Sequence, residues 1–457
     1  MLNGFEERKE ALLKECEVSR SVFRGMEGRL ERFVNPYVDL LLRKEQKEHT
    51  LTYLSGLMSD LERKNSESIA YRHDLDRLQI QRFIGSSSWD HNPFLDLLAT
   101  QVGERLGEPD GILVFDPSAH PKKGTHSVGV ARQWCGRMGK VENCQVGIYM
   151  GYVSSKEHAL VDVRLYLPKD RANDHIHREQ CHIPKDVRYQ TRHSHALEML
   201  ASKGRLLPHK WITGDDEMGR SSRFRSDLRD LNETYLLAVP SNTLIRDLDA
   251  DPPAYSGRGQ PPKRRFVRVD RWREKVPEDA WTQIDVRDGE RGPLIVDIVA
   301  CRVAARDDQR RQGPEETLVV IRRRDEAGGI EHDYYLSNAP ASTPLQEFAR
   351  VAKAEHRIEE TLKRAKGEAG LSDYEVRSWH GWYHHQTLSL MATWFLTQEA
   401  LRGKKMDTSH YRRANPCGHR TDLARCFRVR SSCTHRTRSR TPNSAHTAGQ
   451  AVPLCES

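Results

Sequence analysis

The sequence predicts a mixed α/β protein, with a sheet domain, a strand-rich insertion and a helical N-terminal region. Three observations carry this expectation. The run Ile112-Leu113-Val114-Phe115 is continuously apolar, as a strand buried on both faces requires. Two more strand-like runs follow it, and helical and strand patterns then alternate as far as residue 239. A second strand-rich block, 294–336, precedes two long helical stretches.

The elements follow in chain order. Residues 1–105 read as a helical region that would bind DNA. Leu30, Phe33, Tyr37, Leu40 and Leu41 recur at the three- and four-residue spacing of one buried helix face. Short helices rich in Arg and Lys suit a helix-turn-helix module, and they suit a helical cap on the next domain equally well. The first sheet segment, 106–240, opens with the strand at 112–115, which ends at Asp116. A Gly- and Lys-rich loop follows, and Val146–Val153 with Ala159–Leu167 form a hairpin around Ser154-Ser155-Lys156. A helix around 196–200 stops at Gly204, and the strand Trp211-Ile212-Thr213 reaches Gly214-Asp215. A helix over 224–231 and a strand over 235–239 complete the segment.

Residues 241–340 read as the β-rich insertion. Its first part, to 293, is a loop by Pro and Gly content; strands follow at 294–303, 317–322 and 332–336. Residues 341–405 read as helices, one from Pro344 through Lys366 and one over 378–401. The tail, 406–457, is irregular and basic. From Asp407 it holds nine Arg, no Lys and three acids, and helical periodicity stops. A disrupted reading frame that replaced the normal end is the preferred explanation, and a DNA-binding tail is the other.

Composition excludes several classes. The chain has 457 residues, 37% apolar and 30% charged, with mean hydropathy −0.75. No apolar run approaches the roughly 20 residues of a membrane-spanning helix. The first residues are charged where a signal peptide would be apolar, so the expected location is the cytoplasm, in association with the nucleoid. Net charge is +8, of which the tail supplies most, so the body is nearly neutral but dense in both signs. Nine Cys without a CxxC, in a chain with no export signal, argue against a disulfide framework. There is no GxxxxGK[ST], hence no sign of ATP use.

Three carboxylates stand out. Asp116 and Asp215 each follow an apolar strand, and strand ends in α/β domains open onto the ligand cleft. A turn-forming Asp at a strand end is the plainer alternative. Glu359 lies in Arg357-Ile358-Glu359-Glu360, seven residues before Lys366. Seven residues make two helical turns, so that face offers a carboxylate for a metal and an ammonium for a phosphate. By pattern alone, an exposed charged helix explains it as well.

Longer motifs add to this. Phe115-Asp116-Pro117, the stretch from Lys122-Lys123-Gly124 through Arg132-Gln133-Trp134, and Gly139 to Gln145 resemble an insertion-sequence transposase of the DDE type. Trp211 to Glu217, Tyr335 to Asn338, the RIEE segment at 357–360 and Tyr374 to Trp379 extend the likeness over roughly residues 25–400. The resemblance implies a ribonuclease H-like catalytic domain with a β-strand insertion. It implies Asp116, Asp215 and Glu359 as catalytic and metal-binding residues, holding two Mg²⁺ (or Mn²⁺). Lys366 would contact DNA, as would Lys122, Lys123, Arg132 and Arg357. Trp272 or Trp281, in the insertion, would stack a flipped base, although ordinary packing explains them too. In the broader family a Tyr and an Arg stand seven and four residues before the Glu. Here those places hold Ala352 and Glu355, and Glu355 is expected to repel phosphate and impair strand transfer.

The chemistry suits such a set. Phosphodiester cleavage needs an activated oxygen nucleophile and a stabilised leaving oxygen, which two Mg²⁺ about 3.5–4 Å apart supply. Mg²⁺ takes oxygen ligands and few carboxylates. Asp174-His175-Ile176-His177 with Cys181-His182 matches no familiar closed zinc site and reads as a polar loop. The tail's Cys417, His419, Cys426, Cys433 and His435 raise the same thought. The expected function is transposition: binding the element's terminal repeats, cutting them and joining them to target DNA, as a homodimer on double-stranded DNA. The rivals are a catalytically impaired remnant that only binds DNA and, more distantly, a resolvase-type nuclease.

Overall fold

In a computed structural model, the protein is described at residues 24–251, 254, 255, 257, 258, 264–289, 292–324 and 329–406. The expectations for residues 1–23 and for the tail from 407 lie outside the described residues. Five helices come first: α1 (Met26–Val38), α2 (Lys44–Leu57), α3 (Ser66–Arg72), α4 (Arg77–Gly85) and α5 (Asn92–Leu106). Leu30, Val34, Tyr37 and Leu41 are buried as the periodicity requires, whereas Leu40 faces outward. Asn65 and Asp76 cap α3 and α4 by accepting from the backbone N–H groups of Ser68 and Leu78.

The sheet segment holds β1 (Ile112–Pro121), β2 (Ala131–Cys135), β3 (Lys140–Val153) and β4 (His158–Tyr166). Then come α6 (Lys169–Asn173), α7 (His175–Gln180), α8 (Arg192–Lys203), β5 (Trp211–Gly214), α9 (Asp216–Arg220), α10 (Ser222–Asp230) and β6 (Tyr235–Ala238). The strands pair in the order β4-β3-β1-β5-β6, with β1 antiparallel to β3 and parallel to β5, and β5 parallel to β6. A three-strand meander flanked by two parallel strands is the ribonuclease H-like arrangement expected from the sequence.

Several elements differ from expectation. Strand β1 does not stop at Asp116 but runs to Pro121, because β3 continues to pair with it as far as Cys144. Pro117 is tolerated there because its neighbour on the other side, β5, has already ended. Residues 175–180 form a short helix rather than a loop, capped by Asp174, whose carboxylate accepts from His177 N–H at 3.0 Å. The supposed loop at 241–293 contains β7 (Leu244–Asp247), β8 (Val267–Arg268), α11 (Val269–Arg273) and β9 (Thr282–Gly289). These are short or polar pieces in which no period can show.

The insertion's long strands are β10 (Gly292–Arg306), β11 (Gln312–Arg324) and β12 (Ile330–Ser337). They do not form a separate sheet. Strand β12 pairs antiparallel with β6, so the insertion prolongs the main sheet to twelve strands among the described residues. The helical stretch after it breaks at Lys353 into α12 (Leu345–Ala352) and α13 (Ala354–Glu368). The Lys353 ammonium lies 3.6 Å from Asp333 on β12. The break lets α12 lie on β5, β6, β9 and β10 while α13 crosses to β1, β3 and β4.

The last helix, α14 (Trp379–Met406), ties the N-terminal helices to the sheet. Arg29 donates to Glu399 at 2.7 and 2.5 Å, Tyr53 bonds His385 at 2.9 Å, and His384 reaches the carbonyl oxygens of Ile84 and Trp89. One apolar core runs through the helices and the central strands, and a smaller one lies under the insertion. No helix among the described residues is long and apolar enough to cross a membrane.

Two glycines allow the close approaches that shape the site. A Cβ at Gly219 on α9 would overlap the carbonyl oxygen of Ala238 on β6, and one at Gly151 on β3 would overlap Ile358 on α13. Backbone cannot yield as a side-chain tip can. Gly219→Ala is therefore expected to lower stability by about 1–3 kcal/mol. Gly124→Ala, where nothing lies within 4 Å, should be close to neutral. Thermal or urea denaturation of the two variants checks this.

Candidate active site

The site grows from the β1–β5 pairing. In their parallel register Val114 stands opposite Thr213 and Phe115 opposite Gly214, so Asp116 and Asp215 emerge side by side where that pairing ends. Side chains alternate along a strand, which puts Asp116 on the face of Val114 and Ser118. Gly151 pairs with Val114 and receives Ile358, so this is the face that α13 covers. Asp215 doubles as the N-cap of α9, its carboxylate accepting from Met218 N–H at 3.1 Å. The plainer alternative, a capping Asp, is thus realised here, and the carboxylate is at the same time held beside Asp116.

Electrostatics separates these groups from ordinary surface acids. Burial first, and then the charges of Asp215 and Glu359, push the Asp116 carboxyl up to about 8, while Lys366 pulls the other way. Burial also pushes Asp215 up to about 7, against the backbone N–H of Met218 that favours its ionised form. Glu355 is raised well above the carboxylate range, by burial and then by Asp215, Asp116, Glu359 and Asp333. Four carboxylates therefore feel one another here. Among the described residues, no three His, Cys, Asp or Glu side chains stand close enough together to hold a metal ion as they are placed.

The other candidates fall into distinct settings. Glu359 is near enough to act on Asp116, but its side chain is 58% exposed and lies 3.5 Å from His356. Lys366 reaches β1, donating to Ser118 Oγ at 2.7 Å, and Arg357 is half-buried on the same helix. Lys122 is packed rather than presented: its Nζ sits 3.4 Å from the centre of the Tyr374 ring and donates to the Tyr374 carbonyl at 2.9 Å. Burial lowers that ammonium to about 8. Lys123 is exposed, as is Arg132, which donates to the Val141 carbonyl at 3.2 Å. Trp272 gives its indole N–H to Asp247 at 2.7 Å, and the Arg322 guanidinium lies 4.5 Å from the centre of the Trp281 ring. Both tryptophans are half-buried inside the insertion, far along the sheet order from β1. Cys181 and His177 are 3.7 Å apart and buried, and no third ligand joins them among the described residues.

Sequence reasoning placed Glu355 as a misfit facing DNA phosphate. In the structure it is half-buried and near enough to Asp215 and Asp116 for their charges to raise its carboxyl.

The description "DDE superfamily endonuclease" matches residues 36–293, more than half of the chain. The chain belongs to that family. The match spans both aspartates of this DDE endonuclease and stops before either glutamate, so it does not choose between them. A curated relative is the probable transposase for insertion sequence element IS701 of Microchaete diplosiphon, 28% identical over 200 residues. That alignment covers 42% of this chain and 49% of the relative, so the chain spans about half the relative's length. Among solved structures, a piggyBac transposase synaptic complex with hairpin DNA is similar at TM-score 0.40 and 9% identity, over 89% of this chain and 78% of that one.

The raised carboxyls set a pH dependence. A carboxyl whose folded pKa exceeds its unfolded value, about 3.9 for Asp, is favoured by the fold in its protonated form. Its contribution is full below that value and is lost as pH rises through about 7 for Asp215 and about 8 for Asp116. Metal-free protein should therefore lose thermal stability between pH 5 and 8, and Asp116→Asn should flatten that slope. Melting curves in EDTA across this range measure both.

Proposed function

We propose that this DDE endonuclease is a transposase that cuts DNA at the ends of an insertion sequence and joins those ends to target DNA. The observation that carries the reading is the pair Asp116 and Asp215, half-buried side by side where β1 and β5 stop pairing, with carboxyls pushed up to about 8 and about 7. Like-charged buried carboxylates ionise together near neutral pH only if a cation shares them. Among the described residues the negative charges acting on Asp116 are carboxylates, Asp215 and Glu359, and the cation acting on it is Lys366. That donor set fits Mg²⁺ or Mn²⁺ and suits neither zinc nor copper.

In this reading Asp116, Asp215 and a glutamate of α13, Glu359 by the sequence resemblance, hold the cations. Two bound divalent ions would supply an activated attacking oxygen and a stabilised leaving oxygen. The chain's own part is to place the DNA. Lys366, beside Ser118 on the cleft face of β1, is positioned for a phosphate next to the scissile bond, with Arg357 on the same helix and the exposed Lys123 and Arg132 further out. Lys122 acts through Tyr374, shaping the loop that carries Lys123. The helices before β1 would flank the DNA, and two copies would act on two element ends. A remnant that only binds DNA remains the rival, and one assay separates them.

That assay is Mg²⁺-dependent nicking of DNA carrying the element ends. Asp116→Asn or Asp215→Asn should lower cleavage at least about 100-fold, because each removes a metal ligand. DNA affinity should persist, since phosphate contacts from Lys and Arg supply it. A wild-type protein that binds the ends but never nicks them establishes the rival. Lys366→Ala should reduce the slope of log affinity against log salt by about one, measured by fluorescence anisotropy.

A further inference from the structure

We propose that the hairpin of β2 and β3 reads the element-end duplex: its outer face enters the major groove, where Trp134, Val141 and Met138 pack on thymine methyl groups while Arg132 and Lys123 hold the flanking phosphates. This rests on the transposase reading above and adds to it a base-contacting surface outside the acidic cleft.

Alternation sorts the hairpin into two faces. Strand β2 turns through Gly136–Met138 into the first residues of β3, with Trp134 directly opposite Val141 and Arg132 opposite Asn143. Those four side chains share one face. The other face turns Cys135 and Cys144 into the core. Gln133, also on that inner side, lies 3.5 Å from Arg192 of α8, which donates to Glu217, two residues beyond Asp215. The hairpin is thus fixed from inside, next to the turn that carries Asp215. Asn143 donates to the carbonyl oxygens of Lys122 and Gly124, at 2.6 and 2.9 Å, so the loop with the exposed Lys123 joins the outer face.

That outer face is apolar where it is most open. Trp134 is 59% exposed, Val141 49% and Met138, at the turn, 46%. A Cβ at Gly136 or Gly139 would meet nothing within 4 Å, so the turn is open to solvent there. A Trp and a Val side by side in water are costly to hydrate, and such clusters mark contact surfaces.

Charge and shape select duplex DNA as the partner. Between residues 122 and 144 the one acid is Glu142. Alternation turns it to the inner side, where Lys140 pairs with it at 3.2 Å. Arg132 and Lys123 therefore meet a phosphate backbone without opposition. A two-stranded ribbon fits the major groove, about 12 Å wide, and that groove displays the thymine methyl. Three side chains fall well short of the roughly 800 Å² a side that a stable dimer buries, which disfavours a second copy as the occupant.

Fluorescence anisotropy of the full chain on the element-end duplex tests this. Trp134→Ala should weaken binding by about 10-fold or more and leave the slope against log salt unchanged, because an apolar contact releases no counterions. Arg132→Ala should lower that slope by about one. Replacing the duplex thymines by deoxyuridine removes only the methyl groups. It should weaken wild type by about 3-fold or more and Trp134→Ala by much less. Should Trp134→Ala fail to fold, Met138→Ser on the turn is read in its place, with the same expected direction. Wild-type affinity in both variants, or a deoxyuridine effect as large in the variant as in wild type, would overturn the proposal and leave the transposase reading standing. Trp134→Ala that alters the oligomeric state in light scattering but not DNA affinity would assign the face to a second copy and overturn it likewise. A wild-type protein that binds the element end no more tightly than a random duplex would overturn both.

Discussion

Mutual repulsion among carboxylates gathered at one partly buried cleft is the constraint around which this structure is arranged. Asp116 and Asp215 leave adjacent parallel strands at the same level, and the charges of Glu355 and Glu359 on the helix above act on them. Such a group of acids weakens a fold in the absence of a cation, because desolvation and like charge both oppose ionisation. It persists only where the surroundings hold each side chain in place more strongly than repulsion drives it out. The unfavourable energy is concentrated at the point where a divalent ion would relieve it, a common property of sites built for metal-assisted chemistry.

The rest of the fold supplies that restraint. The register of β1 on β5 sets the two aspartates level, and β1 is held on its other side over ten residues by β3. Asp215 is fixed again as the cap of α9, which lies so close to β6 that Gly219 has no room for a side chain. Helix α13 is seated by Ile358 over Gly151 and by Lys366 on Ser118. Each contact lies on a rigid element rather than on a loop, which is what positional accuracy at a metal site requires.

The insertion extends this frame instead of standing apart from it. Because β12 pairs with β6, the strands from β7 to β12 prolong the sheet that carries the aspartates. Arg225 and Tyr235 both donate to the buried Glu316 on β11, at 2.9 and 2.7 Å, locking the junction with a charge-assisted network. Trp272 and Trp281 are engaged within the insertion by Asp247 and Arg322. Lys353, paired with Asp333 on β12, sets where α13 begins. The insertion therefore bears on where α13 starts and how it lies over the sheet.

Local pattern determined much of this protein. The apolar run 112–115, the hairpin at 146–167 and the alternation that follows were enough for the succession of strands and helices along the chain, because buried strands and amphipathic helices carry their periods in the chain. Asp116 and Asp215 were legible as candidates because each directly follows such a strand. The extent of β1 past Asp116, the pieces β7 to β9, the break at Lys353 and the burial of Lys122 on Tyr374 were not, since each depends on partners distant in sequence. The two glutamates show the limit most clearly. Glu355 and Glu359 are one helical turn apart, with the same chemistry and similar neighbours, and spacing from Lys366 favoured Glu359. How far each turns toward the aspartates depends on the rotation of α13 about its axis. That rotation is decided by Ile358 meeting Gly151 and by the turn at Lys353, contacts that exist only once the chain has folded.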